Sequence, residues 1–281
     1  VLHREDPTLT ARGDDRDASA GNLPRILALP AVLALAMLVV PLGGLVARAD
    51  WGSLWADITA PESLSALLLS VVTGLIATAV CLVLGLPLAI LIARSRPWIA
   101  AILRVLVTVP LVLPPMVGGV ALLFLFGRSA PLGGWLAAMG IGVPFTTAAV
   151  VIAQVFVALP FLVLAVEGAV RAVGVEYERT AAALGAGRWA TLRRITLPLA
   201  APGLVAGLVL CFARAIGEFG ATALFAGNNP GVTQTMPLAI YTAFNGSGVG
   251  QGPAVALSLL LLVTAVAVLL LVRAWRPGSI R

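Results

Sequence analysis

Residues 177–198 read YERTAAALGAGRWATLRRITLP and stand between two long apolar runs, Phe145–Val166 and Leu199–Ala226. Within the stretch Glu178, Arg179, Arg188, Arg193 and Arg194 alternate with Tyr177, Leu184, Trp189, Leu192 and Ile195, so the segment is amphipathic. A polar, arginine-rich loop held between two membrane-length runs is suited to touch a soluble partner. Small residues at Ala181–Ala183, followed by Gly185 and Gly187, predict a short helix, a tight turn and a second helical start, with Trp189 as an apolar knob. Gly185 is expected to allow close backbone approach at that turn. By composition alone, an amphipathic helix lying in the membrane interface would look similar.

Outward from this loop, the bilayer is the chain's main solvent. Of 281 residues, 60% are hydrophobic and 11% charged, and the mean hydropathy is +1.06, far from a soluble composition. Apolar runs at Ile26–Ala47, Leu64–Ala93, Val105–Gly127, Phe145–Val166, Leu199–Ala226 and Pro253–Val272 each reach the roughly 20 residues a helix needs to cross a ~30 Å hydrocarbon core. An all-α membrane protein with about six transmembrane helices follows. Residues 1–22, polar and mixed in charge, are expected to be a disordered cytoplasmic tail. Residues 23–61 then hold the first transmembrane helix and an outer loop, 62–272 the main transmembrane domain with its polar loop at 167–198, and 273–281 a cytoplasmic C-terminus. The first run lacks a small-residue cleavage site and is expected to remain attached. Pro110, Pro114 and Pro115, with Gly118 and Gly119, break the third run. Such a break is tolerated at membrane depth where protein or a water-filled cavity covers the freed backbone groups.

All eighteen basic residues are arginine. In a six-helix arrangement fifteen of them fall on the side of the N-terminus, Arg48 and Arg128 fall opposite, and Arg214 lies inside the fifth run. The positive-inside rule therefore places both termini on the cytoplasmic side of the membrane. Without lysine there is no phosphate-gripping GxxxxGK[ST] loop and no Schiff-base chemistry. The single histidine, His3, leaves no HExxH zinc site and no Ser-His-Asp arrangement. No catalytic residues, no metal and no cofactor are expected. The net charge of +6 is spread along membrane flanks and not gathered on a soluble domain, so nucleic acid is not the partner it indicates. Cys81 and Cys211 sit in apolar runs and read as small packing residues.

Arg214 and Glu218 are the only charged side chains inside the six runs, and each costs ~2.5–3.5 kcal/mol at a helix centre on insertion scales. Four residues apart, they share a helical face and can pair. An intramembrane pair is a candidate for a pathway or gate, and a pair that merely fixes helix packing would look the same. Gly217 and Gly220 flank the glutamate, and Gly203 and Gly207 form a GxxxG step that allows close helix approach in lipid. Residues 227–252 carry no Lys, Arg, Asp or Glu. A neutral polar face of that kind suits brief contact with an oxyanion that must be released, and it equally suits a solvated outer loop.

The order Leu184-Gly185-Ala186, Arg188-Trp189, then Ile195-Thr196-Leu197-Pro198 opening an apolar run, resembles the cytoplasmic coupling loop of ATP-binding-cassette (ABC) importer permeases. The family's usual glutamate stands six residues before the central glycine; this chain has Arg179 there, and the nearest acid is Glu178. GEFGAT at 217–222, FAGN at 225–228, PGVTQTMPLAIY at 230–241, LPP at 113–115 and GLPLA at 85–89 narrow the resemblance. They are similar to permease subunits of molybdate importers, in the branch that also contains sulfate and thiosulfate permeases, over residues 62–272. The resemblance implies a type I ABC importer permease fold, paired with a second copy of the chain. It implies two ATPase subunits docked on a loop containing Glu178, Arg179, Leu184, Gly185, Ala186, Arg188, Trp189 and Pro198, and an extracytoplasmic molybdate-binding protein. It also makes Arg214, Gly217, Glu218, Phe219, Gly220 and Thr222 the candidate pathway or gate. Apart from the resemblance, a proton-coupled transporter titrating Glu218, or a membrane scaffold that recruits a soluble protein, fits the same residues.

Overall fold

A computed structural model describes residues 25–246 and 251–274. The tail assigned to 1–22 and residues 275–281 of the C-terminal segment lie outside the described residues, as do 247–250 of the neutral polar segment. Among the described residues every regular element is helical. The chain divides into one unit that ends at Arg48 and a second that starts at Ala49. The first holds helix α1, Ala28–Ala47, whose 20 residues span ~30 Å, the thickness of the hydrocarbon core.

The second unit begins with α2 (Leu54–Thr59), α3 (Pro61–Arg94), α4 (Pro97–Val112), α5 (Pro115–Phe126), α6 (Pro131–Ala138) and α7 (Thr147–Val173). It continues with α8 (Glu176–Ala183), α9 (Arg188–Thr191), a single π-helical turn at Leu192–Thr196, α10 (Leu197–Ile216), α11 (Gly220–Phe225), α12 (Met236–Asn245) and α13 (Gly252–Ala274). Proline at the first helical position opens α3, α4, α5 and α6, where its missing N–H would have had no intrahelical partner. Thr146 starts α7 by accepting the Ala149 N–H at 3.3 Å.

Helix α7 is the centre of the bundle and packs most extensively on α3 and α10. In the seam, small side chains of α3 and α10 (Ala77, Cys81, Ala89, Ala200, Cys211 and Ala215) are buried in one cluster with Leu162, Val163, Val166 and Val170 of α7. Both cysteines are free thiols used for packing. The GxxxG step acts here as well. A Cβ on Gly203 would collide with the Ala169 Cβ, and one on Gly207 would come within 3.0 Å of the Ala165 Cβ. In lipid, where apolar surface gains little by leaving its solvent, this intimacy of packing is what holds helices together.

Two of the six runs are not straight. The third is the pair α4 and α5, bent by 108°. Leu113 precedes a proline and is extended at ψ 136°, and Pro114 is extended at ψ 133°, so neither continues the helix. Val112, Pro114 and Pro115 at the break are exposed, and burial begins one turn into α5 at Gly118 and Gly119, where α5 packs chiefly on α11. The fifth run ends its first helix at Ile216 and resumes as α11 at Gly220. Ala28–Ala47, Pro61–Arg94, Thr147–Val173 and Arg188–Ile216 are each long and apolar enough to cross a membrane, and the bent pair is a fifth such crossing when taken as one span. In α13 the apolar stretch Gly252–Val268 is shorter. The chain is a multi-pass membrane protein. The 34 residues of α3 extend ~50 Å and project beyond the ~30 Å core.

Candidate functional site

Helices α8 and α9 form a hairpin at the end of the bundle where α3 finishes. The turn is a Schellman cap: the Ala186 N–H donates to the Ala181 carbonyl at 2.9 Å and the Gly185 N–H to Ala182 at 3.0 Å. Gly185 supplies the left-handed residue this cap needs, at φ +84°. Nothing in this chain lies within 4 Å of a Cβ built there. Within the chain the requirement is conformational, since L-residues pay ~1–2 kcal/mol in that region. The hairpin's return limb passes through the π turn. Pro198 has no N–H for the Arg194 carbonyl, and the Leu197 N–H reaches back to Leu192. Single π turns of this kind often mark functional positions.

Glu178 and Arg179 divide the work that the sequence left open. Glu178 faces inward, receiving Arg94 Nη2 of α3 at 2.5 Å and the Thr196 hydroxyl at 2.8 Å. One carboxylate thus ties both limbs of the hairpin to α3. Arg179 faces outward and pairs at 3.0 Å with Glu176, with both side chains more than 70% exposed, an arrangement worth little in stability. Leu184 and Trp189 are 83% and 72% exposed, two large apolar groups left uncovered on a polar hairpin. Arg188 lines a cleft of about 550 Å³ together with Ile90, Arg94, Glu178, Thr191 and Thr196. Pro198 is exposed, and Ala186 is half-buried.

The break in the fifth run brings the other candidates together. Arg214 Nη2 lies 2.6 Å from Glu218 Oε2, and Glu218 Oε1 accepts the Ala221 N–H of α11 at 2.8 Å. The carboxylate bridges the two halves of the broken helix. Gly220 is buried where a Cβ would come within 3.1 Å of the Met116 backbone nitrogen, so it is the glycine that permits close approach. Gly217 is exposed and meets only its own helix. The Phe219 ring stacks on Tyr241 with centroids 5.0 Å apart. Thr222 is fully buried, with no hydrogen-bond partner for its hydroxyl among the described residues, so it lines no open surface in this conformation. The same orphaning occurs at Gln154 in α7, whose amide oxygen and nitrogen are both buried and unpaired; nothing in the structure explains it.

The neutral polar segment is not a free loop over its described part. Thr233 and Thr235 are fully buried. The Met236 N–H donates to Ser70 Oγ at 2.7 Å, Thr147 Oγ1 to the Val232 carbonyl at 2.9 Å, and Asn228 Nδ2 to Thr242 Oγ1 at 2.8 Å. These bonds fasten the segment to α3, α7 and α12, at the opposite end of α7 from the hairpin.

One charged cluster escaped the sequence reading. Glu167 is buried in α7, and its carboxylate receives Arg104 of α4 at 2.5 Å and Arg171 at 2.9 Å. Glu167 follows the fourth apolar run and Arg104 precedes the third, so each reads as loop. The i,i+4 spacing of Glu167 and Arg171 was the available signal.

A family model described as the binding-protein-dependent transport system inner membrane component matches residues 85–280. The molybdenum transport system permease protein ModB of Mycobacterium tuberculosis is 52% identical over 220 residues, covering 78% of this chain and 83% of the relative. The sulfate transport system permease protein CysT of Escherichia coli is 35% identical over 208 residues, covering 73% and 75%. Among solved structures, a bacterial ABC transporter involved in the import of the acidic polysaccharide alginate superposes with a TM-score of 0.67 at 17% identity, covering 89% of this chain and 93% of that one. An inward-facing MetNI methionine ABC transporter gives 0.60 at 19%, covering 75% and 94%. The fold is that of ABC importer permeases.

Proposed function

Because this chain belongs to the family of binding-protein-dependent transport system inner membrane components, we propose that it forms the transmembrane path of an ABC importer for molybdate. It is a translocation subunit, and ATP is hydrolysed on a separate chain. In this reading two copies sit side by side in the plasma membrane with both termini cytoplasmic. Two ATPase subunits dock on the hairpins through Leu184 and Trp189, and an extracytoplasmic binding protein delivers the anion to the opposite face. The observation that carries the substrate is the 52% identity to a molybdenum permease over 220 residues, against 35% to a sulfate permease.

The site suits this task physically. The hairpin is rigid because Glu178 clamps it to Arg94 and Thr196, so a partner that moves Trp189 moves the ends of α3 and α10 with it. The exposed face of α10 presents Pro202, Ala206, Leu210, Ala213 and Gly217, with the partly exposed Arg214 guanidinium beside them. A cation already neutralised by Glu218 attracts an anion weakly, and weak attraction allows release. Competition for uptake of labelled molybdate in cells expressing the full importer tests the substrate. Tungstate should compete and sulfate should not; equal competition by sulfate would move the protein to the sulfate and thiosulfate branch.

A further inference from the structure

We infer that Arg104 and Glu167 are positioning residues that hand movement of the coupling hairpin to the bent arm formed by α4 and α5; the inference rests on the importer reading above. Glu167 has 4% of its side chain exposed and lies six residues before the end of α7. Arg104 grips it with two nitrogens, Nη2 at 2.5 Å and Nε at 3.3 Å. Arg171, one turn further along α7, adds a single contact at 2.9 Å. The two guanidiniums are similarly exposed, at 41% and 47%. They differ in what they join: Arg104 ties two helices, and Arg171 ties a helix to itself.

The tie matters because α4 is only thinly packed on the core. Ala100 is its only buried residue, with Leu103 and Val107 partly buried against the same core cluster, and to this thin packing a forked, charge-assisted hydrogen bond adds direction. Beyond the tie α4 reaches the 108° bend and becomes α5. There a Cβ on Gly119 would lie 2.8 Å from the Ala221 carbonyl oxygen, so the arm touches α11 backbone to backbone. Ala221 is also the residue whose N–H Glu218 holds. On the other side of the tie, α7 ends at Val173, and Gly174 leads into the hairpin that Glu178 clamps. Glu167 thus stands between the docking hairpin and the arm that reaches the broken fifth run. Spatial continuity becomes coupling only when perturbing the link changes the coupling.

The matched arginines supply the test. Arg104→Gln cuts the bond between helices while Arg171 still neutralises the buried carboxylate, and Arg171→Gln does the reverse. Each full importer, with its ATPase and binding protein, is reconstituted in proteoliposomes, and the ATP hydrolysed per molybdate taken up is measured. Arg104→Gln should assemble and hydrolyse ATP but spend about fivefold more ATP per anion, the lower range of an allosteric coupling, and Arg171→Gln should stay within about twofold of the unaltered protein. Equal ratios for the two variants, or an unchanged ratio for Arg104→Gln, would overturn the inference. Failure of Arg104→Gln alone to assemble would also overturn it, by making the tie structural. Absence of any uptake by the unaltered assembly would instead overturn the importer reading, and this inference with it.

Discussion

Replacing Arg214 by Gln strands Glu218, a carboxylate with 1% of its side chain exposed and only the Ala221 N–H left as partner. Removing one member of a buried pair costs ~3–5 kcal/mol because an uncompensated charge stays behind, and the burial of Glu218 places Arg214→Gln in that range. Glu218→Gln is milder. The amide oxygen can still accept from Ala221, and the guanidinium left behind is 25% exposed, so the loss is about 1–3 kcal/mol, that of a charged hydrogen bond and a partly desolvated cation. The double variant buries no charge and should lose no more than Arg214→Gln alone, giving a coupling free energy at least as large as the Glu218→Gln loss, about 1–3 kcal/mol. The assay is built into the core: Cys81 and Cys211 are free and fully buried, so their reaction with a thiol reagent in detergent reports unfolding. Equal losses from the two single variants, or a double variant that loses their sum, would refute the argument that burial makes the pair unequal and coupled.

Trp189→Ala and Leu184→Ala should leave stability unchanged, since both side chains are exposed in the free chain, yet each should weaken ATPase binding by ~1.5–3 kcal/mol if docking buries it; calorimetric titration with the purified ATPase checks both halves. Gly185→Ala should loosen the hairpin by ~1–2 kcal/mol because its φ is +84°. That loss should appear as faster hydrogen exchange at the Gly185 and Ala186 amides, and unchanged exchange would contradict the cap. Gly203→Leu should prevent α10 from seating on α7, because even a Cβ collides with Ala169. Recovery of folded protein with buried Cys211 would show that the GxxxG seam is dispensable.

Much of this was legible because the bilayer enforces it. A run such as Ala28–Ala47 has one stable state in lipid, a helix that satisfies its own backbone, and length alone identifies it. The hairpin was legible for a local reason: Ala181–Ala183 favours a helix, and Gly185 accepts the backbone angle that ends it. Pairing of Arg214 with Glu218 matched the four-residue spacing, although Glu218 stands in the break beyond the end of α10 and not on its face. What stayed hidden depends on contacts distant in sequence. Arg104 and Glu167 are separated by 63 residues, and Arg94 and Glu178 by 84, so nothing local announces either pair. Prolines at 114 and 115 announced a break, but nothing local gives its 108° angle. The neutral segment looked the same as a solvated loop because Thr233 and Thr235 owe their burial to neighbours brought in by the fold.

The central claim is that this chain carries an oxyanion across the membrane at the expense of ATP hydrolysed elsewhere. Uptake of labelled molybdate into sealed proteoliposomes tests it most directly, with the ATPase, binding protein, internal ATP and proton gradient each withdrawn in turn. The account predicts that uptake stops without the ATPase, the binding protein or ATP and is indifferent to collapse of the gradient. Uptake that continues without ATP and stops when the gradient is collapsed would contradict it and would restore Glu218 as the titrating group of a proton-coupled carrier.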